Sequence, residues 1–141
     1  MATDPTCIFC KIVAGQIPCL KVYEDDVVLS FLDIGPIAHG HTLVIPKSHY
    51  PTVMEIPPEV LAAVNQRIPK IARAVLAASG AKACHVLANN GEEAMQSVHH
   101  LHYHIVPRAS GDGIRIPWNT RDLDKTAGAG LAQAIQAALA S

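Results

Sequence analysis

The stretch Val98-His99-His100-Leu101-His102-Tyr103-His104-Ile105-Val106 alternates histidine with apolar residues. In an extended strand, side chains point to opposite faces in turn. His100, His102 and His104 would therefore share one face, with Leu101, Tyr103 and Ile105 on the other. Same-face positions are about 6.6–6.8 Å apart, so two neighbours can grip one centre but three cannot without strong twisting. The row thus predicts divided labour among imidazoles, which titrate near neutrality, attack as nucleophiles and ligate zinc. A solvated strand face that merely happens to be histidine-rich is the plain alternative.

The segment just upstream carries Asn89, Gly91, Gln96 and Ser97. Amide, hydroxyl and glycine N–H groups can approach phosphate oxygens closely, so this loop is a candidate anion site. Lys and Arg are scarce around it. Neutralising a bound anion would fall to imidazolium groups and backbone dipoles, which suits one phosphate better than a chain of them.

Outward from the row, Cys84–Ala88 reads as the preceding strand. Leu20–Tyr23 and Val27–Leu32 read as a hairpin turning at Glu24-Asp25-Asp26, and Thr42–Ile45 as a short strand stopped by Pro46. From Pro58 to Ser79, apolar residues recur at Leu61, Val64, Ile68, Ile71 and Val75, the steps of one helical stripe. Pro58 suits the first turn and Gly80 the end, while Pro69 should kink or split the helix. Asp4 or Thr6 can cap a short helix over Cys7–Ala14. Leu131, Ile135 and Leu139 outline a C-terminal helix weakened by Gly128 and Gly130.

The 141 residues, 50% hydrophobic and 16% charged, fit one globular domain over 1–141 with its core at 5–110 and a tail at 111–141. A net charge of −1 offers no positive field for a nucleic-acid partner. No apolar run is long enough for a membrane span, and no basic-then-apolar leader opens the chain. A soluble, cytoplasmic protein is expected. Four of the eight histidines fall between His99 and His104.

Cys7 and Cys10 form a C-x-x-C, read as half a zinc site, a redox pair or a coincidence of core cysteines. A redox pair usually opens a helix after a strand, and no strand precedes this one. Cys19 and Cys84, set among apolar residues, read as packing. Physically, His39, His41, His49, His99 and His100 are all open as further ligands.

His100-Leu101-His102-Tyr103-His104-Ile105-Val106 resembles the His-φ-His-φ-His-φ-φ pattern of the histidine triad family of nucleotide hydrolases and transferases. The likeness extends through Ile8-Phe9, Lys11-Ile12, Ile17-Pro18, Tyr23-Glu24-Asp25, Phe31-Leu32-Asp33-Ile34 and Gly40 to Lys47. It continues in His49, Asn89, Gly91 and Gln96-Ser97-Val98. The resemblance implies an α+β fold, an antiparallel five-stranded sheet with one long helix and short terminal helices. It further implies a homodimer formed through that helix and an edge strand.

By the same resemblance, His102 is the nucleophile that attacks the α-phosphorus of a purine nucleotide adduct. His104 contacts the phosphate, His100 orients the row, and Asn89, Gln96 and Ser97 meet the phosphate and leaving group. Asp33 accepts from ribose hydroxyls, and Ile8, Phe9, Phe31, Leu32 and Ile34 wall the base pocket, although plain core packing would explain each apolar residue equally well. Many microbial members carry C-x-x-C at this place, which implies a structural zinc on Cys7, Cys10, His49 and His100 and no catalytic metal. The implied activity is a purine nucleoside phosphoramidase working through a nucleotidyl-histidine. Pro107-Arg108-Ala109-Ser110-Gly111-Asp112 is closer to microbial members and diadenosine polyphosphate hydrolases, which keeps that activity as an alternative. A non-catalytic nucleotide-binding module and a metal-storage protein are the readings from other classes.

Overall fold

The computed structural model describes residues 1–116 and 118–141. Five strands, β1 (Lys21–Glu24), β2 (Val28–Leu32), β3 (Thr42–Pro46), β4 (Ala83–Leu87) and β5 (Tyr103–Arg108), form one antiparallel sheet in the order β1-β2-β3-β5-β4. Helix α1 spans Ile8–Val13, α2 Pro58–Asn65, α3 Ile68–Ser79 and α4 Lys125–Ala140, with a 3₁₀ turn at Glu92–Ala94. The expected α+β architecture is present.

Alternation along β2 and β3 sends one set of side chains to each side of the sheet. Val28, Val44 and Ile105 pack with Val64 of α2 and with Ile71 and Val75 of α3. On the opposite face Leu29, Phe31, Leu43 and Ile45 surround Phe9 of α1. Fully burying each such side chain is worth about 1.5–3 kcal/mol, enough to fix which face every strand residue takes. The second face carries the site.

Two local expectations are corrected and one is resolved. Of the kink or split expected of Pro69 within Pro58–Ser79, the structure shows the split, because the Pro69 ring would clash with the carbonyl of Asn65, where α2 ends. Pro69 then sits in the first turn of α3, and Gly80, at φ +77, supplies the left-handed cap at its end. The N-cap of α1 is Cys7, whose Sγ accepts from the Cys10 N–H, whereas Asp4 accepts from the N–H and hydroxyl of Thr6.

The other correction concerns the histidine stretch, whose ladder begins at Tyr103 and not at Val98. β5 pairs with β3 only as far as Tyr103 opposite Val44. Beyond that, Pro46 has no N–H to offer, and the Leu101 N–H turns to the Tyr50 carbonyl at 2.7 Å. His100, Leu101 and His102 are all buried, so that part of the chain is enclosed on both sides.

Candidate active site and metal centre

His104 lies on β5 opposite Leu43 of β3, and His102 precedes it by one alternation. Their ring centroids are 4.8 Å apart. Phe9, held in the core by Phe31 at 5.6 Å, stands nearly perpendicular to the rings of His102 at 5.1 Å and His100 at 5.8 Å. A wall of hydrocarbon therefore backs the imidazoles.

The hydrogen bonds fix the proton on each ring. His102 Nδ1 lies 2.7 Å from the His100 carbonyl, which can only accept, so Nδ1 carries the hydrogen and Nε2 of the neutral ring is a bare lone pair. The Ile37 N–H donates to His41 Nδ1 at 3.1 Å. His41 must then carry its proton on Nε2 and donate it to His104 Nδ1 at 2.9 Å. His104 in turn keeps its hydrogen on Nε2. That atom is buried and has no partner among the described residues. An unpaired buried donor costs about 1–3 kcal/mol, which marks it as a group waiting for an acceptor.

Burial dominates the acid–base behaviour of the row. It pushes His102 below the ordinary imidazole range and His100 down to about 4; His104 also falls to about 4, with His102 and His41 adding to the effect. His41 is lowered by the same cause, partly offset by the Asp33 carboxylate. Without a bound anion, the row therefore lacks the imidazolium charge that the sequence reading assigned to it. Of these neutral rings, only His104 has an N–H left to meet an anion as a hydrogen-bond donor.

Asp33, His41 and His104 bring their ligand atoms within 4.8 Å of one another, a spacing open to a metal. The Ile37 N–H makes a hydrogen-bond relay of them instead, since it holds His41 Nε2 as a donor. Asp33 sits 3.5 Å from that nitrogen through Oδ2 and accepts from the Gly35 N–H through Oδ1.

A separate group joins Cys7, Cys10, His49 and His100. His100 Nδ1 is 3.5 Å from Cys7 Sγ, 3.7 Å from Cys10 Sγ and 3.2 Å from His49 Nδ1, and Cys10 Sγ is 3.4 Å from His49 Nδ1. A tetrahedron with Zn–S of about 2.3 Å and Zn–N of about 2.0 Å has edges of roughly 3.3–3.8 Å, which these separations match. His100 donates its other nitrogen, Nε2, to the Pro46 carbonyl at 2.8 Å, the outer contact that fixes a ligating imidazole. Burial raises the Cys10 thiol, so a cation would be what draws out the thiolate. The donor set fits a closed, structural zinc. Geometry thus singles out His49 and His100 from the candidates that spacing left open.

The remaining expected residues divide. Ser97 is exposed and lies in a pocket with Cys7, Ile8 and His49, which neither His102 nor His104 lines. Asn89 is half-buried, and no side-chain hydrogen bond engages its amide among the described residues. Gln96 is buried and faces inward, donating to the Pro51 and Val98 carbonyls and accepting from the Gly91 N–H. It shapes the loop. Phe31 belongs to the core, Leu32 lines a cleft with Val22 and Ala74, and Ile8 and Ile34 are exposed, Ile34 at 94%. The residue left out of the expected catalytic set is His41. Its only sequence signal is its place just before β3, which becomes informative once β3 is known to pair with the histidine strand.

The antiparallel sheet thus carries a row of histidines on its α1 face, with one bare acceptor on His102 and one unpaired donor on His104. The HIT domain model matches residues 14–111, and the chain belongs to that family. Among relatives, it is 50% identical over 106 residues to adenylylsulfatase HINT3 of Arabidopsis thaliana, covering 75% of this chain and 54% of that one. The chain thus spans about half the length of that relative. It is 42% identical over 114 residues to adenosine 5'-monophosphoramidase hnt1 of Schizosaccharomyces pombe, covering 80% and 83% of the two chains. A crystal structure from Streptococcus mutans superposes with a TM-score of 0.94 at 45% identity, covering 98% of this chain and 88% of that one. A zinc-bound histidine triad protein from Mycobacterium smegmatis gives a TM-score of 0.74 at 39% identity over 94% and 97% of the chains.

Proposed function

We propose that this chain hydrolyses purine nucleoside phosphoramidates, AMP joined to an amine, through a covalent nucleotidyl-His102. The observation that carries this reading is the juxtaposition of two nitrogens. His102 offers a lone pair on Nε2, and the neighbouring His104 offers an unpartnered N–H. One can attack phosphorus while the other donates to a phosphoryl oxygen on which charge develops.

In the first step the His102 Nε2–P bond forms and the P–N bond to the leaving amine breaks. The amine takes a proton from solvent. The ring becomes a phospho-imidazolium whose Nδ1–H stays on the His100 carbonyl. Water then attacks phosphorus, AMP departs, and the ring returns to its neutral form. Asp33 accepts from the ribose hydroxyls, and Asn89 and Ser97 contact the phosphate and leaving group. Phe9 backs the imidazoles, with Ile8 toward the base, while Leu32 faces α3 on the other side of the sheet.

Zinc on Cys7, Cys10, His49 and His100 supplies rigidity and no reacting group. It holds His100, whose carbonyl sets the tautomer of His102. The names of the Arabidopsis and fission-yeast relatives both describe enzymes that act on an AMP moiety bearing a different substituent, which supports a site selective for the adenylyl half. Second copies joined through α3 and the edge strand β4 complete the proposed homodimer, in a cytoplasmic setting.

The test is His102→Ala with an adenosine phosphoramidate as substrate. Turnover should fall by at least about 10⁴-fold while AMP still binds, because the nucleophile is removed and the donors remain. Retained turnover would exclude the covalent route. A specificity constant higher for diadenosine polyphosphates than for phosphoramidates would move the assignment to that alternative.

A further inference from the structure

Helix α4 is the one long element whose presence its own chain does not explain. It runs for 16 residues, Lys125–Ala140, and none of its residues is buried. Leu131, Ile135 and Leu139, spaced four apart on one face, are 63%, 53% and 81% exposed. After Lys125 the helix holds no charged residue. It therefore has neither a polar outer face with charge pairs nor a packed inner one.

Such a helix does not stand well by itself. Isolated helices of about 12–15 residues are marginal even when rich in alanine, and Gly128 and Gly130 each cost about 1 kcal/mol relative to alanine. Its start is well made, since Asp124 accepts from the Thr126 and Ala127 N–H groups. Leu123 folds over the bare Gly128, where a Cβ would come within 3.1 Å of its Cδ1. Beyond that first turn, no described residue of the helix is buried against the rest of the chain.

The placement of α4 nevertheless recurs. The Streptococcus mutans crystal structure covers 98% of this chain with a TM-score of 0.94. α4 holds 16 of 141 residues, more than a tenth, so a superposition that missed it could not reach that score. A helix found in one position in two chains, without burial in its own, is held from outside its chain. We propose that α4 is an arm that docks its Leu131–Ile135–Leu139 face on a second copy of this chain.

The chemistry of the face selects that occupant. A membrane surface would call for basic residues along a polar face, and α4 has none after Lys125. No described helix is long and apolar enough to cross a membrane. A nucleic acid or an acidic peptide finds no positive charge there. An uncharged, alanine-rich helix with three large aliphatic side chains fits a permanent, apolar, symmetric contact between identical chains.

The test combines sedimentation velocity with amide hydrogen exchange on the full chain and on the double variant Leu131→Asp/Ile135→Asp. In the wild type, α4 amides should be protected where the protein sediments as a dimer and lose protection on dilution into the monomer. The double variant should raise the dimer dissociation constant by about tenfold or more and abolish protection in α4, with β3 and β5 amides still slow to show that the body is folded. Four outcomes would overturn the proposal: a wild type monomeric at about 100 µM, α4 exchanging freely within the dimer, α4 protected within the monomer, or a double variant that associates like the wild type.

Discussion

His102 Nδ1 donates to the carbonyl oxygen of His100 across 2.7 Å, and His100 Nδ1 is drawn into the cysteine–histidine cluster. One residue therefore serves two centres, its side chain toward the proposed metal site and its carbonyl toward the proposed nucleophile. Disturbing the cluster should reach the chemistry through the orientation of one ring.

Removing that cluster tests the link. Cys7→Ser or His49→Ala should abolish stoichiometric zinc, read by elemental analysis, and lower Tm by about 5 °C or more, since a lost structural ligand costs a kcal/mol or more. Turnover should fall through kcat while AMP affinity changes little. Full zinc occupancy in both variants would contradict the ligand assignment.

His41 should prove a positioning residue. Its Nε2–H sets His104 as a donor through Nε2, and a triad ring in the wrong tautomer loses as much as about 10⁴ in kcat. His41→Ala should lower kcat by about 100-fold, short of that limit because His104 itself remains. The ¹⁵N shifts of His104 should change in the same variant, a signature that mere loss of packing would not produce.

Met95 has φ +68 and ψ +26, the only non-glycine residue of positive φ among those described, and its side chain is exposed between the 3₁₀ turn and Gln96. A left-handed conformation costs an ordinary side chain about 1–2 kcal/mol and a β-branched one more. Met95→Gly should leave stability unchanged or raise it by up to about 1 kcal/mol, whereas Met95→Val should lower it by about 1 kcal/mol. Urea denaturation of the pair separates strain from any loss of contact, because both variants remove the thioether.

How much was legible follows from these particulars. Period and turn chemistry reveal all five strands, and Pro69 announces the break between α2 and α3. The cysteine–histidine cluster is half visible in C-x-x-C, but Cys7 and His100 are 93 residues apart, and spacing alone cannot bring them together. His41 stayed hidden for the same reason, since its partner is set by β3–β5 pairing. The neutrality of the histidine row was also out of reach, because it depends on burial that Phe9 and the surrounding loops provide. The early start read for β5 failed at Pro46, on a different strand from the one being read.

Acid should weaken the fold through Asp25. Its carboxylate accepts from the Val27 and Val28 N–H groups, the Tyr23 hydroxyl and Arg67 Nε at 2.8–2.9 Å. Burial alone would raise its pKa, but these bonds outweigh it and hold the carboxyl well below the usual carboxylate range. A pKa depressed on folding stabilises the protein above the unfolded value of about 3.9, and that contribution fades as pH falls below it. Asp25→Asn should therefore lower the urea midpoint at pH 7 and approach the wild type near pH 2. An equal gap at both pH values would contradict the ionic reading.

The most direct measurement is intact-mass analysis of the protein quenched seconds after mixing with an adenosine phosphoramidate. An added AMP on the wild type, absent from His102→Ala and mapped to His102 by peptide fragmentation, is the predicted result. Turnover without any adduct at early time points, or an adduct that survives in His102→Ala, would contradict attack by His102.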